Sequence, residues 1–264
     1  MTSLNKTFLL GGEVEVNRLG YGAMRLTDQP GNFGPYPNWE QGITLLRRAV
    51  ELGVNLFDSA RSYGPQWTDK LLGEALSDRT FEVMIATKGG VDKPAPGNIQ
   101  IDGAPATLSQ QIDDALVNLK VERIDLFQLH RVDPDTPIEE SVAALKDAQT
   151  AGKIRFIGLS NVNKEQLDRA LAVSAIASVQ NRLNQAEQEQ NSLVDYTAEK
   201  GIAFIPYGPL GANPMKQGAK LPARSALAWL LNRSPNIIGI PGTTSIAHLE
   251  ENMTTWELIE ADKA

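Results

Sequence analysis

The sequence predicts an α/β fold, a (β/α)8 barrel with an N-terminal β-hairpin. Its 264 residues are about what one such barrel needs. From Arg18 onward, short apolar runs alternate with amphipathic stretches, and eight strand-and-helix pairs can be counted. Alternating units of this kind require right-handed crossovers and a parallel sheet, and eight of them suggest closure. An open doubly wound sheet is the competing fold, but no G-x-G-x-x-G follows the first strand and no G-x-x-x-x-G-K-[ST] occurs anywhere. One barrel over residues 1–264 is the expected organisation.

Residues 7–16 (TFLLGGEVEV) read as two β-like runs around Gly11-Gly12, a hairpin ahead of the barrel. The first barrel strand is RLGYGAM. Asp28 to Asn38, with three Pro and two Gly, is a loop, and Phe33, Tyr36 and Trp39 in and beside it could wall a pocket. Trp39 to Leu52 is a helix with Ile43, Leu46, Ala49 and Val50 on one side; a strand ending at Asp58 and a helix over Lys70–Leu76 follow. VMIATK leads to the helix TLSQQIDDALVNL, for which Thr107 is the expected N-cap. IDLFQLH, PIEESVAALKDAQTAG and IRFIGLS are strand, helix and strand, with Gly152 placed to end the helix. NKEQLDRALAV, IASVQN, NSLVDYTAEKG, AFIPYG, ARSALAWLLN and NIIGIP continue the alternation up to a final helix from about Ser245.

Composition excludes several classes of function. The net charge of −7 and the absence of any Lys or Arg run argue against nucleic acid or an anionic membrane as partner. With no cysteine there is no disulfide, no thiolate chemistry and no cysteine-ligated metal, and two distant histidines make a zinc or iron site improbable; no metal is expected. The N-terminal apolar run is too short for a signal peptide and no segment is long enough to span a bilayer, so a soluble cytoplasmic protein is expected, as monomer or small homo-oligomer.

The chemistry gathers at strand ends, which form the reactive face of such a barrel. LFDSARSYGP carries Asp58 at the tip of a buried strand and presents Tyr63 in the loop after it; VMIATK ends in Lys88 and DLFQLH in His130. Alone, Asp58 reads equally as a turn or cap residue and Tyr63 as packing. Lys88 is harder to dismiss, because a lysine closing a buried strand needs a partner. A phenol titrates near pH ~10, so as an acid Tyr63 gains from a nearby ammonium, and Asp58 would keep that ammonium charged. A neutral His130 could donate a hydrogen bond to a carbonyl.

Asp, Tyr, Lys and His in this order resemble the catalytic tetrad of the aldo-keto reductases, NAD(P)H-dependent enzymes on a (β/α)8 barrel. The motifs GYGAM, LFDSARSYG, TKGG, QLHR, GLSN, VQN, YGPLG and IPGTTS come in that family's order between about Leu19 and Asn252. The resemblance implies reduction of an aldehyde or ketone, with Tyr63 as proton donor. It assigns Ser160, Asn161 and Gln180 to the nicotinamide carboxamide and Tyr207 to the nicotinamide ring. The same groove takes in Gly22, Met24, Asp58, Pro209, Leu210 and Gly211. Gly242, Thr243, Thr244, Ser245, His248, Glu251 and Asn252 match the family's adenosine-phosphate segment. Tyr36, Trp67 and His130 are the expected substrate contacts. GYGAM with the GPYP and YGP loops is similar to a bacterial branch that includes pyridoxal reductases, which makes pyridoxal or another aromatic aldehyde a candidate substrate.

The chain also departs from the family pattern. Gly242 and His248 stand where relatives with strong NADPH preference place Lys and Arg, and Glu250 and Glu251 lie beside them. NADPH is nevertheless the expected cofactor, with NADH as the alternative. Gly208 replaces a frequent Ser and removes a pyrophosphate contact. The segment between Gly211 and Ala223 is short, as is the chain after the final helix, so an open site is expected. Two other readings compete: a dinucleotide-binding sensor with little turnover, and an aldolase using Lys88 as a Schiff-base amine.

Overall fold

The computed structural model describes residues 5–209, 211 and 222–261. The N-terminal hairpin is antiparallel, β1 (Thr7–Leu10) on β2 (Val14–Asn17). The parallel sheet contains β3 (Tyr21–Gly22), β4 (Leu56–Asp58), β5 (Met84–Gly89), β8 (Ile124–Leu129), β9 (Ile154–Ser160), β10 (Ser178–Gln180) and β11 (Ala203–Phe204). Their spatial order is β11-β10-β9-β8-β5-β4-β3, the sequence order reversed. A second hairpin, β6 (Val91–Ala95) with β7 (Asn98–Ile101), stands outside the sheet after β5.

The eighth stave, residues 236–241, closes the ring through single bridges rather than a continuous ladder. Ile238 N donates to Phe204 O at 2.9 Å on one side, while Gly239 N donates to Arg18 O at 2.9 Å and Gly20 N to Gly239 O at 2.8 Å on the other. The helices α1 (Trp39–Glu51), α2 (Trp67–Leu76), α3 (Pro105–Leu119), α4 (Ile138–Thr150), α5 (Lys164–Leu171), α6 (Asn191–Glu199), α7 (Ala223–Arg233), α8 (Ile246–Met253) and α9 (Thr255–Ala261) follow the alternation.

The barrel interior is layered because strand side chains repeat every second residue. Leu56, Met84, Ala86, Leu126, Phe156, Ala177, Ala203, Ile205, Ile238 and Ile240 fill its lower part, and the N-terminal hairpin caps it with Leu10 and Val16. Each buried Leu or Ile contributes about 1.5–3 kcal/mol. One step further up the same strand faces the layer turns polar: Asp58, Lys88, Gln128, Ser178 and Gln180, all at most 2 % exposed. Gly158 lies among them because a Cβ there would meet Ser178 Oγ at 2.3 Å and Gln128 Cγ at 2.7 Å. The outward side chains, among them Phe57, Ile85, Phe127, Ile157 and Val179, bind the helices to the sheet.

Three local expectations are corrected. Thr107 is not the N-cap of α3: Pro105, with its fixed φ and missing N–H, occupies the first helical position after Ala104, and Thr107 Oγ1 instead donates to Asp102 at 2.7 Å. The helix expected over Lys70–Leu76 begins at Trp67, after Gln66 in the left-handed region. The expected final helix is two, with Thr254 between them. The second hairpin escaped notice because Pro94, Pro96 and Gly97 read as a loop. Gly152, at φ +76°, does end α4.

Candidate active site

Asp58, Lys88 and His130 converge because they end adjacent staves, paired in register Asp58 with Ala86 and Lys88 with Gln128. Lys88 Nζ donates to Asp58 Oδ1 at 2.8 Å, Asp58 Oδ2 at 2.7 Å and Ser59 O at 2.7 Å. Three acceptors match the three hydrogens of an ammonium, so Lys88 is charged and none of its donors is spare. Burial pulls its pKa down and Asp58 opposes that pull. Asp58 Oδ1 also accepts from Gln180 Nε2 at 2.8 Å and Gln128 Nε2 at 3.2 Å. The pair is thus held from four staves.

Tyr63 is half-buried above the pair, with Lys88 Nζ 5.3 Å from its ring centre. Its loop is fixed by Thr68, whose Oγ1 and N–H both donate to Tyr63 O, at 3.0 and 3.4 Å. The expectation that Lys88 lowers the phenol pKa is reversed: burial, then the charge of Asp58, push Tyr63 well above its ordinary value. Burial is the larger cause, and the Lys88 charge that would oppose it is paired with Asp58 at contact. At neutral pH Tyr63 is a protonated phenol.

The His130 ring meets Tyr63 edge-on at 85°, with centroids 6.1 Å apart, and its Nδ1 lies 3.5 Å from Ser62 Oγ. Burial, with Lys88 and Arg131 adding to it, holds its pKa well below the usual histidine value. The imidazole is therefore neutral and can donate one N–H.

Ser160, Asn161, Gln180 and Tyr207 form one linked group. Ser160 Oγ donates to Gln180 O at 2.8 Å. Asn161, at φ +56°, donates through Nδ2 to His130 O and to Ser160 Oγ, each at 3.0 Å, and accepts Tyr207 OH at 2.8 Å. Both amide hydrogens of Asn161 are used, which leaves one lone pair on Oδ1 as its free function. Asn161 does not cap the next helix, since Asn163 caps α5 in a reciprocal pair with Gln166.

Around the rim, Gly22 and Gly242 lie back to back: a Cβ on Gly242 would stand 2.5 Å from Gly22 O. This closeness leaves no room on the present backbone for a side chain at position 242. Met24 follows Gly22 and its carbonyl accepts from Thr27 Oγ1 at 3.0 Å. Thr243 accepts Tyr21 OH on its carbonyl at 2.5 Å and Ser245 N on its hydroxyl at 3.1 Å. Ser245 caps α8, accepting His248 N at 3.4 Å. Thr244 is half-buried, His248 and Glu251 are exposed and Asn252 is buried. Glu250 is drawn away by Arg48 of α1, 2.8 Å from its Oε1. Pro209 is buried, and Gly211 N donates to Gly208 O at 3.1 Å; Leu210 and the segment 212–221 lie outside the described residues.

Two expected substrate contacts, Tyr36 and Trp67, pack partly on protein neighbours. The Tyr36 ring packs on α1 beside Gly42 and Leu71. Trp67 meets Trp39 edge-on at 6.0 Å, and Lys70 Nζ covers it at 4.4 Å. Both are aromatic residues next to the mouth in sequence, but the helix starts turn them onto other rings and aliphatic chains. Sequence reasoning missed Gln128. A polar residue two positions before His130 on a buried strand was the available signal. Among the described residues no cluster of His, Cys, Asp and Glu suited to a metal occurs, and no helix is long and apolar enough to cross a membrane.

Comparison with known proteins agrees with this fold. The model of the aldo/keto reductase family matches residues 18–222. Pyridoxine 4-dehydrogenase of Escherichia coli K12 is 39% identical over 270 residues, covering 96% of this chain and 94% of that enzyme. Among solved structures, glycerol dehydrogenase of Gluconobacter oxydans superposes with a TM-score of 0.82 at 24% identity, over 97% of this chain and 95% of the other. An aldo-keto reductase of Klebsiella pneumoniae, solved in complex with NADPH, gives a TM-score of 0.78 at 20% identity over 99% of this chain and 95% of the other. A barrel whose strand ends carry Asp58, Lys88 and His130 beneath Tyr63, matched over most of its length by that family's model, belongs to the aldo/keto reductase family.

Proposed function

We propose that this protein reduces aldehydes or ketones to alcohols at the Asp58–Tyr63–Lys88–His130 group, with NADPH as the preferred reductant and NADH as the alternative. The observation that carries this reading is the fully satisfied Lys88–Asp58 pair beneath a protonated Tyr63 and beside a neutral His130. Tyr63 supplies the proton that a developing alkoxide needs, and His130, through its ring N–H, fixes the direction of the carbonyl oxygen. Lys88 and Asp58 keep a charged but neutral-overall floor under the phenol, so the proton leaves only when an alkoxide is there to take it.

The residues present fit a reduced nicotinamide dinucleotide. Asn161 has one free acceptor for a carboxamide N–H, Tyr207 offers a flat ring beside it, and the α8 N-terminus with Thr243, Thr244 and Ser245 offers hydroxyls and N–H groups to a phosphate. Bound there, the cofactor supplies the hydride. The Klebsiella neighbour solved with NADPH supports the cofactor class, and the pyridoxine 4-dehydrogenase relative supports pyridoxal or another aromatic aldehyde as substrate.

Titration with NADPH and separately with NADH, followed by tryptophan fluorescence, then by absorbance of the reduced nicotinamide after adding pyridoxal, tests the reading. Quenching followed by oxidation is expected. Quenching without oxidation by pyridoxal or any simple aromatic aldehyde would replace the reductase by a dinucleotide sensor.

A further inference from the structure

Lys93 is a buried lysine that the proposed chemistry leaves unused. It stands in the second hairpin, 3 % exposed, and its Nζ donates to Gly31 O and Asn32 O, each at 2.7 Å. Both acceptors are neutral carbonyls. A lysine this deep is rare without a carboxylate beside it, and a chain that keeps one has a use for its donors. A bulge in the hairpin aims it. Asp92 pairs with Gln100 and Ala95 with Asn98, so Lys93 and Pro94 stand against Ile99 alone and the alternation of faces breaks there.

The two carbonyls belong to the tip of the Asp28–Asn38 loop. Asn32 has φ +49° there, a conformation that non-glycine residues seldom adopt, and it turns two successive carbonyls toward one ammonium. The same turn touches the loop of the phenol. Phe33, half-buried, bridges Gly64, the residue after Tyr63, and Gly34 N donates to Gly64 O at 2.9 Å. The approach is so close that a Cβ on Gly64 would stand 2.8 Å from Gly34 O. The hairpin that carries Lys93 is itself anchored. Asp92 accepts from Arg61 Nε at 2.6 Å and from Gln111 Nε2 at 2.9 Å, and Gln111 Oε1 accepts Gly90 N at 2.6 Å. Arg61 lies two residues before Tyr63. Consecutive hairpin residues thus grip the phenol's loop and the aromatic loop beside it.

Resting on the reductase reading, we propose that Lys93 is a positioning residue for substrate: it pins the Gly31–Gly34 turn against the Tyr63 loop, makes Phe33 a fixed wall at the mouth, and so sets a preference for aromatic over short aliphatic aldehydes. A flat ring gains contact area from a fixed apolar wall, whereas a short chain held at its carbonyl is too small to gain from it. A wall that is not pinned has to be ordered each time a ring binds, and that cost falls on KM rather than on kcat.

Lys93→Met keeps the apolar stem and removes both donors. The KM for benzaldehyde should rise about tenfold, while the KM for propanal and kcat for both aldehydes stay as they are. Phe33→Ala should give the same loss, and the double variant no more than either single one, because the pin acts through that ring. A merely structural role would weaken both aldehydes alike. Turnover with an unchanged ratio of kcat/KM between the two aldehydes, or additive losses in the double variant, would overturn the role of Lys93 in selection. Hydrogen exchange reads the pin without turnover: the amides of Phe33 and Gly34 should exchange at least about tenfold faster in Lys93→Met. That acceleration in a protein that turns over no carbonyl would overturn the reductase reading and leave the pin standing; native exchange rates in the variant would overturn the pin. If Lys93→Met does not fold, Lys93→Gln, with a shorter and uncharged donor, should show the same changes at smaller size.

Discussion

The floor of the mouth and the α8 rim are built on opposite principles. In the floor, every donor of Lys88 is taken, and Asp58 accepts from Lys88, Gln128 and Gln180 on three different staves. At the α8 rim, the Ser245 and Thr243 hydroxyls make only local bonds, the remaining N–H groups of the first turn have no intrahelical acceptor, and His248 and Glu251 face solvent. The difference teaches where each kind of function can sit. Groups that must hold a proton at a fixed place are satisfied internally and buried. Groups that must receive a ligand's charge are left with bonds to make.

That contrast can be broken by substitution, and the largest effect is expected at the phenol. Tyr63→Phe should lower turnover by at least about a hundredfold, the usual scale of a lost general acid, while fluorescence titration finds the dinucleotide bound nearly as before. Equal loss of both would place Tyr63 in binding rather than chemistry.

Next is the floor itself. Lys88→Met leaves Asp58 buried with only two amide donors, and loss of one partner of a buried pair costs about 3–5 kcal/mol. Urea unfolding should show it, whereas Lys70→Met on the exposed face of α2 should not.

A smaller effect is expected from acid. Because the folded pKa of His130 is depressed, the unfolded chain binds the extra proton first; native stability is complete above the ordinary histidine value of about 6.5 and falls as pH drops below it. His130→Gln should flatten that part of the profile in thermal melts, and an equally steep fall in the variant would remove His130 as its cause.

The smallest expected effect is at the rim. Ser245→Ala should cost about 1 kcal/mol as a lost helix cap and weaken dinucleotide binding, with kcat at saturation unchanged. A drop in kcat would mean that rim and floor are coupled after all.

Much of the floor was legible beforehand because strand ends are where a barrel exposes chemistry and because a lysine in a buried run is a physical anomaly in any context. Asp58, Lys88 and His130 stand out on that basis. Gln128 did not, since an amide is common on surface and interior alike, and only the ring of staves shows that it faces Asp58. The phenol's acidity was misjudged because the charge of Lys88 was counted and the burial of the phenol, the larger effect, was not.

By itself the sequence determined the family, the barrel and the identity of the strand-end residues, since hydrophobic periodicity and local motifs are properties of neighbouring positions. Only the tertiary structure decided that Lys88 has no hydrogen left for Tyr63 and that Gly242 is pressed against Gly22. Those facts depend on how many groups from distant segments compete for one site, and competition across segments leaves no trace in the order of residues along any one of them.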